Sequence, residues 1–194
     1  MRIISGKFGS RRLKTLSGNN TRPTEDRVRE AVFGRLGPYF DGGIILDLFG
    51  GSGAVSLEAI SRGFDFAHIC DKSREAVSVI YSNINELKVN DQVKVYNSSY
   101  KTVLNKLKQN NVKFDLIYLD PPFHQHIEQD ALNIIFESDM LKDDGVIVVE
   151  TDKKDEVFCN SPYTVDKTAV YGLNRITYIK KEKENAESSL SGII

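Results

Sequence analysis

The sequence predicts an α/β fold with a mostly parallel seven-stranded sheet that ends in an antiparallel hairpin. Three observations predict it. Between residues 43 and 180, short apolar runs alternate with helical patterns, the mark of successive βαβ units and of a sheet covered on both faces. The polar residues with chemical potential (Asp47 to Gly53, Asp71, Ser98-Ser99, Asp120 to Phe123) all follow strands, where open sheets of this kind bind ligands. The last two runs, Tyr163 to Val170 and Arg175 to Lys180, are separated only by Tyr171-Gly172-Leu173-Asn174, which leaves no room for a helix and reads as a hairpin.

The first helix is expected to open at Thr24 as N-cap, with Glu25 and Asp26 in the first turn where the helix dipole favours anions. Val28, Ala31, Val32 and Leu36 share its apolar face, and Gly37-Pro38 stops it. Strands follow at Ile44 to Leu48, Phe66 to Cys70, Val93 to Tyr96, Phe114 to Leu119 and Val146 to Glu150. The intervening helices are Gly53 to Arg62, Ser73 to Leu87, a helix ending near Gln109, and one from about His126 to Phe136.

With 194 residues, 40% hydrophobic and 27% charged, the chain suits one globular domain. No run of 18 apolar residues and no basic-then-apolar leader occurs, so a cytoplasmic protein with no membrane partner is expected. Cys70 and Cys159 lack metal spacing and are expected to be reduced structural residues. The net charge of −1 hides an asymmetry. Residues 1–40 hold nine Lys/Arg against three acids, +6, which leaves −7 for the remainder. A basic arm on an acidic body points to a polyanion bound on one side. Residues 1–40 are therefore expected to form a basic extension with one helix, 41–180 the main domain, and 181–194 a flexible tail.

Asp120-Pro121-Pro122-Phe123 carries the most chemistry. It leaves the strand Phe114 to Leu119 in a loop that two prolines make rigid. A carboxylate at the start of that loop and an aromatic at its end can hold a planar, amine-bearing ring: one accepts from the amine, the other stacks on the ring. Asp47-Leu48-Phe49-Gly50-Gly51-Ser52-Gly53 opens a helix with glycines that admit a ligand close to the backbone. Ser56 stands where a dinucleotide fingerprint needs its third glycine, and no Gly-Lys-Ser/Thr follows, so a dehydrogenase is disfavoured and a P-loop is excluded. Asp47 suits the cationic amino-acid end of a ligand rather than a pyrophosphate. Asp71, at the end of the second strand, can accept both hydroxyls of a ribose or cap the next helix. Ser98 and Ser99 can meet an adenine edge, although Ser99 can equally cap its helix. His124 and His126 lack a third ligand nearby, and no metal is expected.

An acid before a Gly-rich turn, an acid ending strand two and Asp-Pro-Pro-Phe after strand four together resemble S-adenosylmethionine-dependent methyltransferases that act on exocyclic amines. Arg2-Ile3-Ile4-Ser5-Gly6, Arg22-Pro23-Thr24 with Arg27-Val28-Arg29-Glu30-Ala31, and Leu46 to Ala54 extend the resemblance to the bacterial 16S rRNA guanine-N2-methyltransferases of the RsmD type, over roughly residues 1–180. The resemblance implies a Rossmann-like methyltransferase fold. It implies transfer of a methyl group to the N2 amine of a guanine in 16S rRNA, guanine 966 being the family's usual target. It implies a methyl-donor site at Asp47, Phe49, Gly51, Gly53, Asp71, Ser98 and Ser99, and a catalytic motif at Asp120, Pro121, Pro122 and Phe123. Arg2, Lys7, Arg11, Arg12, Arg22, Arg27 and Arg29 are then the phosphate contacts, and the partner is 16S rRNA or the assembling small ribosomal subunit, met by a monomer.

Two positions depart from the family. Gly50 replaces a frequent alanine, with no expected consequence, and Ser99 replaces an aspartate that commonly faces the adenine amine. Two readings compete. Another nucleic-acid amine methyltransferase, acting on adenine N6, fits Asp-Pro-Pro-Phe equally, but the short chain offers no separate target-recognition domain. A non-catalytic RNA-binding assembly factor would be expected to have lost Asp120 or the donor loop, and both are intact.

Overall fold

A computed structural model describes residues 1–16, 23–122 and 127–182; of Pro23 to Glu25 it describes the backbone alone. The chain runs α1 (Pro23–Leu36), β1 (Ile44–Asp47), α2 (Ala54–Ser61), β2 (Phe66–Asp71), α3 (Arg74–Leu87), a short 3-10 turn at Asn90–Gln92, β3 (Val93–Asn97), α4 (Tyr100–Gln109), β4 (Phe114–Leu119), α5 (Ile127–Glu137), β5 (Leu141–Asp152), β6 (Tyr163–Tyr171) and β7 (Asn174–Lys181). One seven-stranded sheet results, in the order β3-β2-β1-β4-β5-β7-β6. β1 to β5 are mutually parallel, β7 runs antiparallel to β5, and β6 antiparallel to β7. The alternation of apolar runs and helices thus produces the predicted α/β sheet with its terminal hairpin.

The core has two halves because alternate strand residues point to opposite faces. Ile45, Leu116, Tyr118 and Val148 pack on one face with Val28, Val32 and Phe33 of α1, Leu57 of α2 and Ile80 of α3. Leu46, Ile117, Leu119, Ile147 and Val149 pack on the other with Val103, Leu104 and Leu107 of α4 and Leu132 and Ile135 of α5. On α3 the buried residues Ala76, Ile80, Asn83, Ile84 and Leu87 recur at helical spacing. Residues 1–13 join the same core: Ile3 and Leu13 are buried in the first half. Ile3 N–H donates to Arg11 C=O at 2.9 Å and Leu13 N–H to Met1 C=O at 3.0 Å, folding the segment into a small hairpin.

Several element ends shift by a single residue, and three boundaries differ for a physical reason. α1 begins at Pro23, so Thr24 lies inside the first turn rather than at the cap; proline is pre-organised for the first helical position, where its missing N–H costs nothing. β5 begins at Leu141, not Val146. Lys142-Asp143-Asp144-Gly145 looks like a turn, but Leu141 pairs with Phe114, and a register shift between Phe114 and Leu116 absorbs the polar insert. The hairpin turn is tighter than expected, with only Gly172 and Leu173 between the strands and Gly172 at φ +63°. Among the described residues no helix is long and apolar enough to cross a membrane.

Candidate active site

Strand order reverses between β1 and β4, which are adjacent in the sheet although β2 and β3 lie between them in sequence. A crevice forms at such a switch point outside the carboxyl ends of the strands. Two cavities occupy it. The larger, about 510 Å³, is lined by Leu48, Phe49, Gly51, Asp71, Ser98, Ser99, Tyr100, Asp120, Pro121 and Pro122, among others. The smaller, about 250 Å³, is lined by Asp47, Phe49, Gly51, Asp120, Glu150 and Asn174, among others. Phe49, Gly51 and Asp120 belong to both walls.

The loop after β1 is shaped by its glycines and its acid. Gly51 adopts φ +55°, and a Cβ there would meet no atom within 4 Å, because it would project into the crevice. Gly53, at φ +79°, precedes α2 and packs over Ile80 and Leu57. It lines neither cavity wall, and its left-handed backbone makes the turn into α2. Gly50 N–H donates to Cys70 C=O at 2.8 Å, which ties the loop to β2. A Cβ on Gly50 would lie 2.3 Å from Ile69 Cγ2. The departure at Gly50 is therefore not neutral here: the loop sits too close to Ile69 for alanine.

Asp47 is 2% exposed. Ser56 Oγ donates to its Oδ2 at 3.1 Å, and Phe49 N–H to its Oδ1 at 3.4 Å. Ser56, which breaks the dinucleotide pattern, thus serves as this acid's partner. Burial pushes the Asp47 carboxyl up to about 7, with Asp71 and Glu150 adding repulsion and the two donors opposing it. Asp71 uses both oxygens locally: Gly51 N–H donates to Oδ2 at 2.9 Å and Ser73 N–H to Oδ1 at 2.8 Å. A carboxylate offers about four acceptor positions, so Asp71 both fixes the glycine loop and presents oxygen to the larger cavity. Ser99 caps α4, its Oγ accepting from Thr102 N–H at 3.2 Å. Its hydroxyl is committed to that helix while it also lines the cavity. Tyr100 stands against Phe49 with ring centroids 5.7 Å apart, and its O–H donates to Asp130 at 2.7 Å.

At the end of β4, Asp120 is exposed, Pro121 buried and Pro122 exposed. Phe123, His124 and His126 lie outside the described residues, as does Arg22. Of the remaining basic candidates, Arg2, Lys7, Arg11, Arg12 and Arg27 are exposed. Arg2 and Arg12 face each other in an antiparallel bridge of the N-terminal hairpin, and Met1, Thr15 and Leu16 border the smaller cavity. The basic arm therefore reaches the rim of the site.

Arg29 is a correction. It is 4% exposed, donates to Arg2 C=O at 2.6 Å, and pairs with Asp26 at 3.0 Å. An arginine so enclosed is bound to its own fold, and what it presents outward is part of the wall of the smaller cavity rather than the open surface. Glu58, 0% exposed, completes this anchor. It accepts from Ile4 and Ser5 N–H at 2.7 and 3.0 Å and from Arg62 Nε at 2.7 Å.

Sequence reasoning missed Tyr118 and Glu150 and gave Asn174 only a turn role. All three line the smaller cavity. Tyr118 O–H donates to Glu150 Oε1, and Asn174 Nδ2 to Glu150 Oε2 at 3.3 Å. Burial and the neighbouring carboxylates of Glu150 and Asp120 push the Tyr118 hydroxyl well above its ordinary value, so it stays a donor. An acid closing an otherwise apolar strand, Val146 to Glu150, was the available signal.

A glycine loop under β1, an acid ending β2 and Asp-Pro-Pro after β4, all at the switch point of this sheet, define a Rossmann-like methyltransferase. Known proteins agree. A solved Escherichia coli structure described as a candidate methyltransferase, yhhF, superposes with a TM-score of 0.82 at 29% identity, covering 95% of this chain and 99% of that one. The Haemophilus influenzae protein named ribosomal RNA small subunit methyltransferase D is 34% identical over 174 residues, 89% of this chain and 90% of its own. The Bacillus subtilis protein YlbH, named as a candidate rRNA methyltransferase, is 38% identical over 186 residues, 93% of this chain and 99% of its own. The family model described as Conserved hypothetical protein 95 matches residues 1–180. The chain belongs to that family, the RsmD type that its motifs resemble.

Proposed function

We propose that the protein transfers a methyl group from S-adenosylmethionine to the N2 amine of a guanine in 16S rRNA, either as RNA or within the assembling small subunit. The relatives' names support an rRNA substrate. The observation that carries the reading is the position of Asp120, with Phe49 and Gly51, in the walls of both cavities. The larger cavity can hold the donor's nucleoside, the smaller its amino-acid end and the base, and the acid stands where they meet.

The larger cavity fits the donor. Its volume of about 510 Å³ lies in the range of small-molecule sites. Asp71 offers a carboxylate for ribose hydroxyls, Phe49, Tyr100 and Pro121 offer apolar surface for a purine, and the open space beside Gly51 admits a ligand to the backbone. Asp47, in the smaller cavity, suits a cationic amino-acid end. When bound, S-adenosylmethionine supplies a methyl on a sulfonium, an electrophile that needs no covalent enzyme intermediate.

The chain's own residues then hold the base, take its proton and position the RNA. Asp120 and the Pro121 carbonyl accept hydrogen bonds from the guanine amine, whose lone pair is delocalised into the ring, and favour a pyramidal nitrogen. Asp120 takes the proton that the amine sheds late in the transfer. Phe123 stacks on the base, which is worth roughly 1–3 kcal/mol. Rigid orientation by the proline loop can contribute up to ~7–11 kcal/mol. A base drawn from a loop costs less to extrude than one in a helix. Arg2, Lys7, Arg11, Arg12 and Arg27 hold phosphates and set the register of the RNA.

Radiolabelled donor, incubated with small subunits or their RNA from a cell lacking this gene, tests the reading. Label should enter the RNA and fall ~10²–10⁴-fold with Asp120→Ala, while calorimetric binding of S-adenosylhomocysteine persists. Undiminished transfer by Asp120→Ala, or no transfer by the wild type, would overturn it.

A further inference from the structure

β4 and β5 are parallel, and their last shared register pairs Leu119 with Val149. The residue that follows each of these is an acid, Asp120 just past the end of β4 and Glu150 within β5. Neighbouring strands lie about 4.8 Å apart, and both acids line the smaller cavity. Their surroundings differ. Asp120 is exposed at the start of the proline loop. Glu150 is buried and held from two sides, by the Tyr118 hydroxyl on Oε1 and the Asn174 amide on Oε2. Burying a carboxylate is costly, and an apolar side chain would close the wall at lower cost. Two donors from two strands instead fix its orientation, and a carboxylate has acceptor capacity for more than two bonds.

The edge of a purine decides what such a wall admits. Guanine carries N1–H beside its N2 amine, two donors side by side. Adenine carries a lone pair at N1 beside its N6 amine. With the amine at Asp120, a base turned with N1 toward β5 brings that ring position to Glu150. A carboxylate there accepts from N1–H and repels a lone pair, so one residue both attracts the right base and rejects the wrong one. Resting on the proposed transfer to a guanine amine, we infer that Glu150, oriented by Tyr118 and Asn174, accepts a hydrogen bond from guanine N1–H and makes the site choose guanine over adenine.

The test uses small-subunit RNA assembled by ligation with the target guanine kept or replaced by 2-aminopurine, which retains the amine but has a lone pair at N1. Transfer efficiency is compared for wild type and Glu150→Gln. The wild type should prefer guanine by ~100-fold or more. Glu150→Gln, whose amide can donate to the N1 lone pair, should shrink that ratio at least ~tenfold, with S-adenosylhomocysteine binding retained. The intrinsic reactivity of the two amines cancels in this comparison, and a merely structural role for Glu150 would lower both rates alike. An unchanged ratio, with N2-methylguanine still formed, overturns the inference and leaves the guanine reading standing. Label on another base, or none, overturns both. If Glu150→Gln does not fold, Asn174→Ala removes one orienting donor and is read for the same ratio: a smaller ratio supports the inference and an unchanged one overturns it.

Discussion

Asp47 and Asp120 are carboxylates at the ends of adjacent strands, in opposite environments. Asp120 stands in the open, whereas Asp47 is buried beneath the glycine loop and its carboxyl is pushed up from 3.8 to about 7. Between those values the folded chain holds a proton that the unfolded chain has lost. This contribution to stability is therefore complete below the lower value and is lost as pH rises through about 7. Asp47→Asn cannot titrate, so urea unfolding should show it losing less stability than the wild type across that window; parallel curves would refute the assignment. Asp47, Asp71 and Asp120 were legible in the sequence because each directly follows an apolar run. Glu150 follows an apolar run as well, but its place beside Asp120 is set by the pairing of β4 with β5, which no local pattern encodes. Arg29 was misread for a related reason: it lies next to Val28, yet only the docking of residues 1–13 on α1 and α2 encloses it.

At the scale of elements, the helices and strands were readable from periodicity, and the errors fall where tertiary packing overrides local chemistry. β5 continues through Lys142-Asp143-Asp144-Gly145 because β4 supplies a partner at Leu141. Gly50 shows the same override in a loop. The family pattern alone gives glycine in place of alanine no consequence; in this packing Ile69 Cγ2 lies 2.3 Å from where an alanine Cβ would stand. Gly50→Ala should cost about 1–3 kcal/mol through overpacking, seen as a lower urea midpoint with an unchanged slope, and should weaken S-adenosylhomocysteine binding by shifting the loop. Wild-type stability and affinity would show that β2 yields freely.

Across the whole molecule, a basic N-terminal hairpin is fastened to α1 and α2 at the rim of the crevice. Glu58 bridges the Ile4 and Ser5 amides and Arg62, and Arg29 grips Arg2 C=O. The charge asymmetry was visible in the sequence; its placement beside the site was not, because that follows from buried interactions between residues far apart in the chain. If Arg2, Arg11 and Arg12 hold phosphates, replacing all three with glutamine should weaken RNA binding. It should also flatten the salt dependence by about 0.7 in log–log slope for each phosphate no longer neutralised. A weaker affinity with an unchanged slope would place those arginines away from the phosphates.

The most direct test of the central claim is the identity of the product. Small-subunit RNA from cells lacking this gene, methylated by the purified protein and digested to nucleosides, should yield N2-methylguanosine by mass spectrometry, from a single position. N6-methyladenosine, or no methylated nucleoside, would contradict the assignment of Asp120 and its crevice to a guanine amine.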